Sequence, residues 1–112
     1  MSNIKDIILS TLSENKAENL VSFDLKGKSS LCDGIFLSTG SSLRHIKALS
    51  EYVLKALKDA GIKGIHVEGL KECDWILIDT GDYIIHLFTE EVREFYNLES
   101  LWEDLAPKLT HE

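Results

Sequence analysis

Apolar residues recur with two different periods along this chain. Ile4, Ile7, Ile8 and Leu12 stand at helical spacing, which predicts an amphipathic N-terminal helix. Residues 20–25 (LVSFDL) read as a short strand ended by Gly27, and Gly34–Thr39 (GIFLST) as a second. Gly40 and Ser41 break that strand, and Ser41 or Ser42 is placed to cap the next helix. Leu43, Ile46, Ala48, Leu49, Val53, Leu57 and Ala60 mark the buried side of this long helix, with Gly61 as its stop. Residues 65–68 read as a third, short strand. Residues 75–88 (WILIDTGDYIIHLF) form the most apolar segment, split around Asp79, Thr80, Gly81 and Asp82. A polar break with glycine between β-prone runs is a hairpin signal. Neither run alternates cleanly, which predicts strands covered on both faces. Thr89 is placed to cap a short helix through Tyr96. A last helical stretch is expected over 98–105, then a fraying tail.

The order helix, two strands, helix, strand, hairpin, helix predicts an α/β fold. Its core is a mixed five-stranded sheet packed by helices, and residues 1–112 form a single domain without internal repeats. No stretch approaches the ~20 apolar residues of a membrane helix. The N-terminus lacks a signal-peptide pattern, since Asp6 interrupts its apolar run. A cytoplasmic protein is the expectation. Cys32 and Cys73 are expected as free thiols there.

Charge narrows the partners. Nineteen acidic residues outweigh twelve basic ones, for a formal charge of -7. No cluster of Lys and Arg that could neutralise phosphates is expected from the sequence, so direct binding to a nucleic-acid duplex is not expected. A basic protein surface is the better electrostatic match, although acidity on its own serves solubility first.

Candidate chemistry is thin. The turn Ser38-Thr39-Gly40-Ser41-Ser42 could present amides to a phosphate, as in nucleotidyltransferases. That chemistry also needs paired metal-binding carboxylates, and Asp79 and Asp82 at a hairpin tip are poor analogues. The simpler reading is a capped helix start. His66, Glu68 and Cys73 suggest half of a zinc-deaminase signature, but no second cysteine follows. His86 stands inside an apolar run, where a hydrogen-bonded core histidine is the ordinary outcome. No cofactor, metal site or catalytic residue is assigned. Trp75, Tyr96 and Trp102 are the large amphipathic aromatics, suited to a core or an interface.

Taken in series, several segments resemble the ribosomal silencing factors, the Iojap family. They are Lys28–Asp33 (KSSLCD), the STGSS turn with Arg44-His45, Val67-Glu68-Gly69 and Trp75–Asp79 with Gly81-Asp82. Ile85–Phe88, Arg93, Tyr96–Glu99 and Leu101-Trp102 complete the set. The departures are mild. Cys32 and Gly34 flank a position that is bulkier in many relatives, and Thr80 sits at a variable turn position.

The resemblance implies a nucleotidyltransferase-like fold without catalytic carboxylates. It implies a translational repressor, not an enzyme. Such a protein binds the large ribosomal subunit through its fourteenth ribosomal protein, blocks small-subunit joining under nutrient limitation, and is a homodimer when free. The alternatives are a large-subunit maturation factor and a small nucleotidyltransferase. Matching motif positions suggest a partner-binding face of Glu68, Trp75, Asp79, Asp82, His86, Tyr96, Leu98, Glu99 and Trp102. Among these, His86 and Leu98 are the readiest to be structural, and Asp79 and Asp82 can serve the turn.

Overall fold

One mixed sheet organises the computed structural model, which describes residues 3–27, 32–97 and 99–100, and the backbone of 108–110. The elements run α1 (Ile4–Glu14), β1 (Glu18–Asp24), β2 (Gly34–Thr39), α2 (Leu43–Asp59), β3 (His66–Glu68), β4 (Trp75–Asp79), β5 (Tyr83–Phe88), α3 (Glu90–Tyr96) and β6 (Lys108–Thr110). Across the sheet the order is β3-β4-β5-β2-β1-β6. Hairpins β1–β2 and β4–β5 are antiparallel, and they meet along the parallel pair β2–β5. A parallel pair needs a crossover, supplied here by α2 with β3 and β4.

Each helix starts on a side-chain cap, which satisfies an amide that the first turn leaves free. Asn3 Oδ1 accepts from the Asp6 amide at 2.8 Å, and Ser42 Oγ from the His45 amide at 3.1 Å. Thr89 Oγ1 accepts from the Val92 amide at 3.2 Å.

The two sheet faces are covered unequally. On one side α1 and α2 bury Ile8, Leu12, Ile46, Leu49, Val53 and Leu57 against Phe36, Ile76, Ile78, Ile85 and Leu87. On the other, Val21, Phe23, Ile35, Leu37 and Phe88 form a second cluster, with Trp75, Ile84 and Val92 half-buried around it. There the short α3 is the one described helix in contact.

The five strands expected from sequence are present, with four differences in detail. First, β4 is not covered on both faces: Ile76 and Ile78 are buried, whereas Trp75, Leu77 and Asp79 are only half-buried. Among the described residues, the short α3 is the one helix on that side. Second, Leu43, the first residue of α2, is 49% exposed, whereas Ile46 in the same turn is fully buried. Ala60, past the end of α2, is exposed too. Third, the tail returns as β6, a short edge strand on β1, where fraying was expected. Fourth, β1 starts earlier than residue 20 and carries a bulge between Glu18 and Val21. The helical stretch expected over 98–105 lies largely outside the described residues.

Candidate partner-binding face

Strand register decides which of the expected site residues can meet. Side chains alternate along a strand, and residues directly opposite on neighbouring strands share a face. Glu68 stands opposite Leu77, and Leu77 opposite His86. Trp75, Leu77 and Asp79 alternate with the buried Ile76 and Ile78. Glu68, Trp75, Asp79 and His86 therefore lie on the half-open face of the sheet. Tyr96, at the end of α3, completes the group, with its ring centroid 4.8 Å from that of Trp75.

Trp75 is the hub. Its ring also contacts Phe88 and His86, at 6.0 and 5.9 Å between centroids. Its indole Nε1 donates to His86 Nδ1 at 3.0 Å. Because Nδ1 accepts, a neutral His86 carries its proton on Nε2. Burial disfavours the charged ring and lowers the His86 pKa from 6.5 to about 4. His86 is therefore a neutral acceptor at physiological pH that fixes the indole plane.

Carboxylates surround this aromatic pair. Glu68, Glu72 and Asp74 line an open hollow together with Trp75, Val92 and Tyr96. Phe95, 80% exposed, and Tyr96, 54% exposed, stand beside it, with Leu70 also exposed. Buried apolar side chains are the norm, so an exposed aromatic cluster ringed by acids has the composition of a binding surface.

The turn entering β4 explains Gly69 within Val67-Glu68-Gly69. Its φ is +92°, and a Cβ there would collide with the Trp75 carbonyl oxygen. Glycine alone meets both demands. The Cys73 amide donates to the Gly69 carbonyl at 2.9 Å, and Cys73 Sγ to the Leu70 carbonyl at 3.0 Å, closing the turn.

Other expected site residues are placed differently. Asp79 Oδ1 accepts from the Gly81 amide at 2.8 Å and so shapes the hairpin turn. Asp82 is exposed in that turn, and its carbonyl accepts from the Asp33 and Gly34 amides, tying the turn to β2. Glu99 is held by Arg93, Nε to Oε1, at 3.0 Å. Leu98 and Trp102 lie outside the described residues.

Arg93, one of the positions that carry the family resemblance but not one of the expected partner-binding residues, is buried, with 8% exposure. It donates from a terminal nitrogen to the Asn19 carbonyl at 2.6 Å, and its guanidinium lies 5.8 Å from the Phe88 ring centroid. Asn19 has φ +48° in the β1 bulge, which turns its carbonyl outward to meet the arginine. Arg93 thereby pins α3, and with it Tyr96, to the far hairpin. The sequence signals were its place among the positions of the family resemblance and its standing as a lone arginine in a helix whose other charges are acidic.

The STGSS turn holds its own amides. Ser41 N donates to His45 Nδ1 at 2.9 Å, and His45 Nε2 lies 3.0 Å from the Asn15 carbonyl, linking α2 to the end of α1. Glu18, Glu90 and Glu91 line the hollow next to the turn, a poor environment for a phosphate. Among the described residues, no three His, Cys, Asp or Glu side chains converge on a metal position.

Similarity to known proteins agrees with these features. The family model described as ribosomal silencing factor during starvation matches residues 2–112. A Haemophilus influenzae protein named ribosomal silencing factor RsfS is 36% identical over 97 residues, covering 87% of this chain and 95% of its own. A mouse protein named mitochondrial assembly of ribosomal large subunit protein 1 is 30% identical over 100 residues, covering 87% of this chain and 44% of its own. A crystal structure of a Chromobacterium violaceum protein superposes with a TM-score of 0.84 at 32% identity, covering 88% of this chain and 82% of the other. The Trp75 hub, the glycine that admits it and the half-open sheet face thus belong to a member of the ribosomal silencing factor family.

Proposed function

We propose that this chain is a translational repressor that docks on the large ribosomal subunit and sterically blocks the small subunit from joining. The contact is with the fourteenth protein of the large subunit, in the cytoplasm, under nutrient limitation. One observation carries the reading: Glu68, Glu72 and Asp74 line a hollow around the tilted Trp75–Tyr96 ring pair, at the end of the sheet face where β4 is only half-buried. Aromatic anchors within a charged rim are the usual anatomy of a protein-binding hot spot. Carboxylates in the rim favour a basic partner and repel bare RNA phosphates. The action is occlusion, so no bond is made or broken. When free, the chain is a homodimer.

Mixing purified large and small subunits with the protein, then sedimenting them through sucrose, tests this. Free subunits accumulate, with the protein on the large one, and Trp75→Ala abolishes both effects. Joined ribosomes at saturating protein would refute occlusion. A second reading, large-subunit maturation, is favoured by the name of the mouse relative. It predicts large-subunit precursors in cells lacking the protein, and no effect on the joining of mature subunits.

A further inference from the structure

On the helical side of the sheet, charge is arranged in the opposite sense. Residues 43–65 carry five cations against two carboxylates, in a chain with 12 basic and 19 acidic residues overall. Arg44, Lys47, Lys55 and Lys58 are exposed and, at about 100° per residue, fall on one stripe of α2, interrupted by Glu51. Helical geometry assembles this stripe from residues that are scattered in sequence.

The stripe ends at an open apolar groove. Its floor is Leu54, Ile62 and Ile65, all half-buried, and its rim is Lys58 and Lys63. Gly61 and Gly64 complete the lining with φ of +85° and +72°, and nothing lies within 4 Å of where a Cβ would stand. The groove therefore stays open above the backbone. Lys55 is held by Asp59 at 3.0 Å, whereas Lys58 and Lys63 have no ion-pair partner among the described residues. Beside the groove, β3 is the edge strand next to β4 among the described residues.

The shape and charge choose among occupants. A flat bilayer does not fill a concave groove. A nucleic-acid backbone would meet the two lysines but leave the apolar floor unburied. A second copy docked with two-fold symmetry sets like patches face to face, placing lysines against lysines. A segment with apolar anchors between carboxylates satisfies both floor and rim.

We propose that this groove is a second docking surface, which takes an acidic peptide segment of a partner protein. Two apolar side chains of the peptide lie on Leu54, Ile62 and Ile65, and its carboxylates meet Lys58 and Lys63. The groove lies on the opposite side of the sheet from Trp75 and Tyr96, so both surfaces can be occupied together. The proposal stands whether or not the chain silences ribosomes.

The test selects binders to the intact protein from a phage-displayed library of random peptides. The best synthetic peptide is then measured by fluorescence anisotropy and by amide shifts in ¹H–¹⁵N spectra. Selected peptides combine Asp or Glu with Leu, Ile or Phe, and shifts centre on 54–65. Lys58→Glu with Lys63→Glu weakens binding about tenfold or more, reversing two charge contacts, while Lys58→Arg with Lys63→Arg retains it. Lys47→Glu, on the same stripe but outside the groove, stays within about twofold, since a surface charge beyond a Debye length is screened. Thermal unfolding checks that each variant is folded, and Lys58→Gln with Lys63→Gln replaces the reversal if that variant is not. No enrichment, basic peptides, shifts on the Trp75 face, two-fold self-association through the groove, or equal loss with Lys47→Glu would each overturn the proposal.

Discussion

Acid should unfold this protein through His86. The folded pKa is about 4 against an ordinary 6.5, because burial disfavours the imidazolium. Protonation at Nδ1 would also replace the acceptor for Trp75 Nε1 with a second donor. The folded value is depressed, so the unfolded chain binds the proton first as pH falls. Stability is therefore full above about pH 6.5 and declines towards pH 4. A shift from 6.5 to about 4 makes the folded state lose about 2 kcal/mol by pH 5 and about 3 kcal/mol by pH 4. That is a large part of the ~5–15 kcal/mol that holds a small domain together. Urea unfolding followed by tryptophan fluorescence at several pH values measures the loss. Carboxylates add their own pH dependence, so the informative quantity is the difference between wild type and His86→Gln. Glutamine keeps an acceptor for the indole but does not titrate, and its curve should be flatter by about 2 kcal/mol between pH 7 and pH 5. Parallel curves for the two proteins, or an NMR titration of His86 near 6.5, would refute the argument.

Three further outcomes follow from the same face. Arg93→Gln should cost about 2–4 kcal/mol in urea unfolding, because Glu99 and the Asn19 carbonyl both lose a charged donor in a nearly buried site. Gly69→Ala should cost ~2 kcal/mol or more, since it meets both a left-handed backbone and the Trp75 carbonyl. An altered near-ultraviolet tryptophan signal should accompany that loss, and an unchanged signal would count against the packing described. Asp79→Asn preserves the acceptor for the Gly81 amide and should leave stability within ~0.5 kcal/mol, whereas Asp79→Ala loses about 1 kcal/mol. If Asp79→Asn nevertheless weakens co-sedimentation with large subunits, the carboxylate acts on the partner as well as on the turn.

Local signals made most of the architecture readable from sequence. The 3.6-residue period of α1 and α2, the capping residues and the glycine-bearing break between β4 and β5 are all short-range features, and each led to the correct element. What escaped the sequence depends on long-range coverage. The apolar run at 75–79 reads as a strand buried on both faces, yet Trp75 and Leu77 are only half-buried, with the short α3 the one described helix on their side. Leu43 fits the apolar period of α2 but is half-exposed at its first position, at the edge of the buried stripe centred on Ile46, Leu49, Val53 and Leu57, and a period alone does not report how wide the covered stripe is. Of the expected site residues, Glu68, Trp75, His86 and Tyr96 are brought together by register and by α3. Asp82 and Glu99 are set apart by the turn and by Arg93. The burial of Arg93 was not legible in the sequence, because its acceptor is a carbonyl 74 residues away. The basic stripe on α2, where the sequence suggested no cluster of Lys and Arg, was invisible as a run because its members are three to eight residues apart.

The seam between β2 and β5 also bears on how the chain acquires its shape. Each hairpin joins strands close in sequence, but Gly34 meets Tyr83, and Thr39 meets Phe88, only after roughly fifty residues of chain have been drawn in, at a cost of order 3 kcal/mol in chain entropy. The two hairpins are thus natural early units, and their union along this seam is the slow, late event. The bond from Arg93 to Asn19 spans the same junction, since β5 leads into one partner and β1 holds the other. It forms only when the halves have met, so removing it should speed unfolding far more than it slows folding. The latch that positions Tyr96 is in this sense a kinetic lock on the assembled sheet.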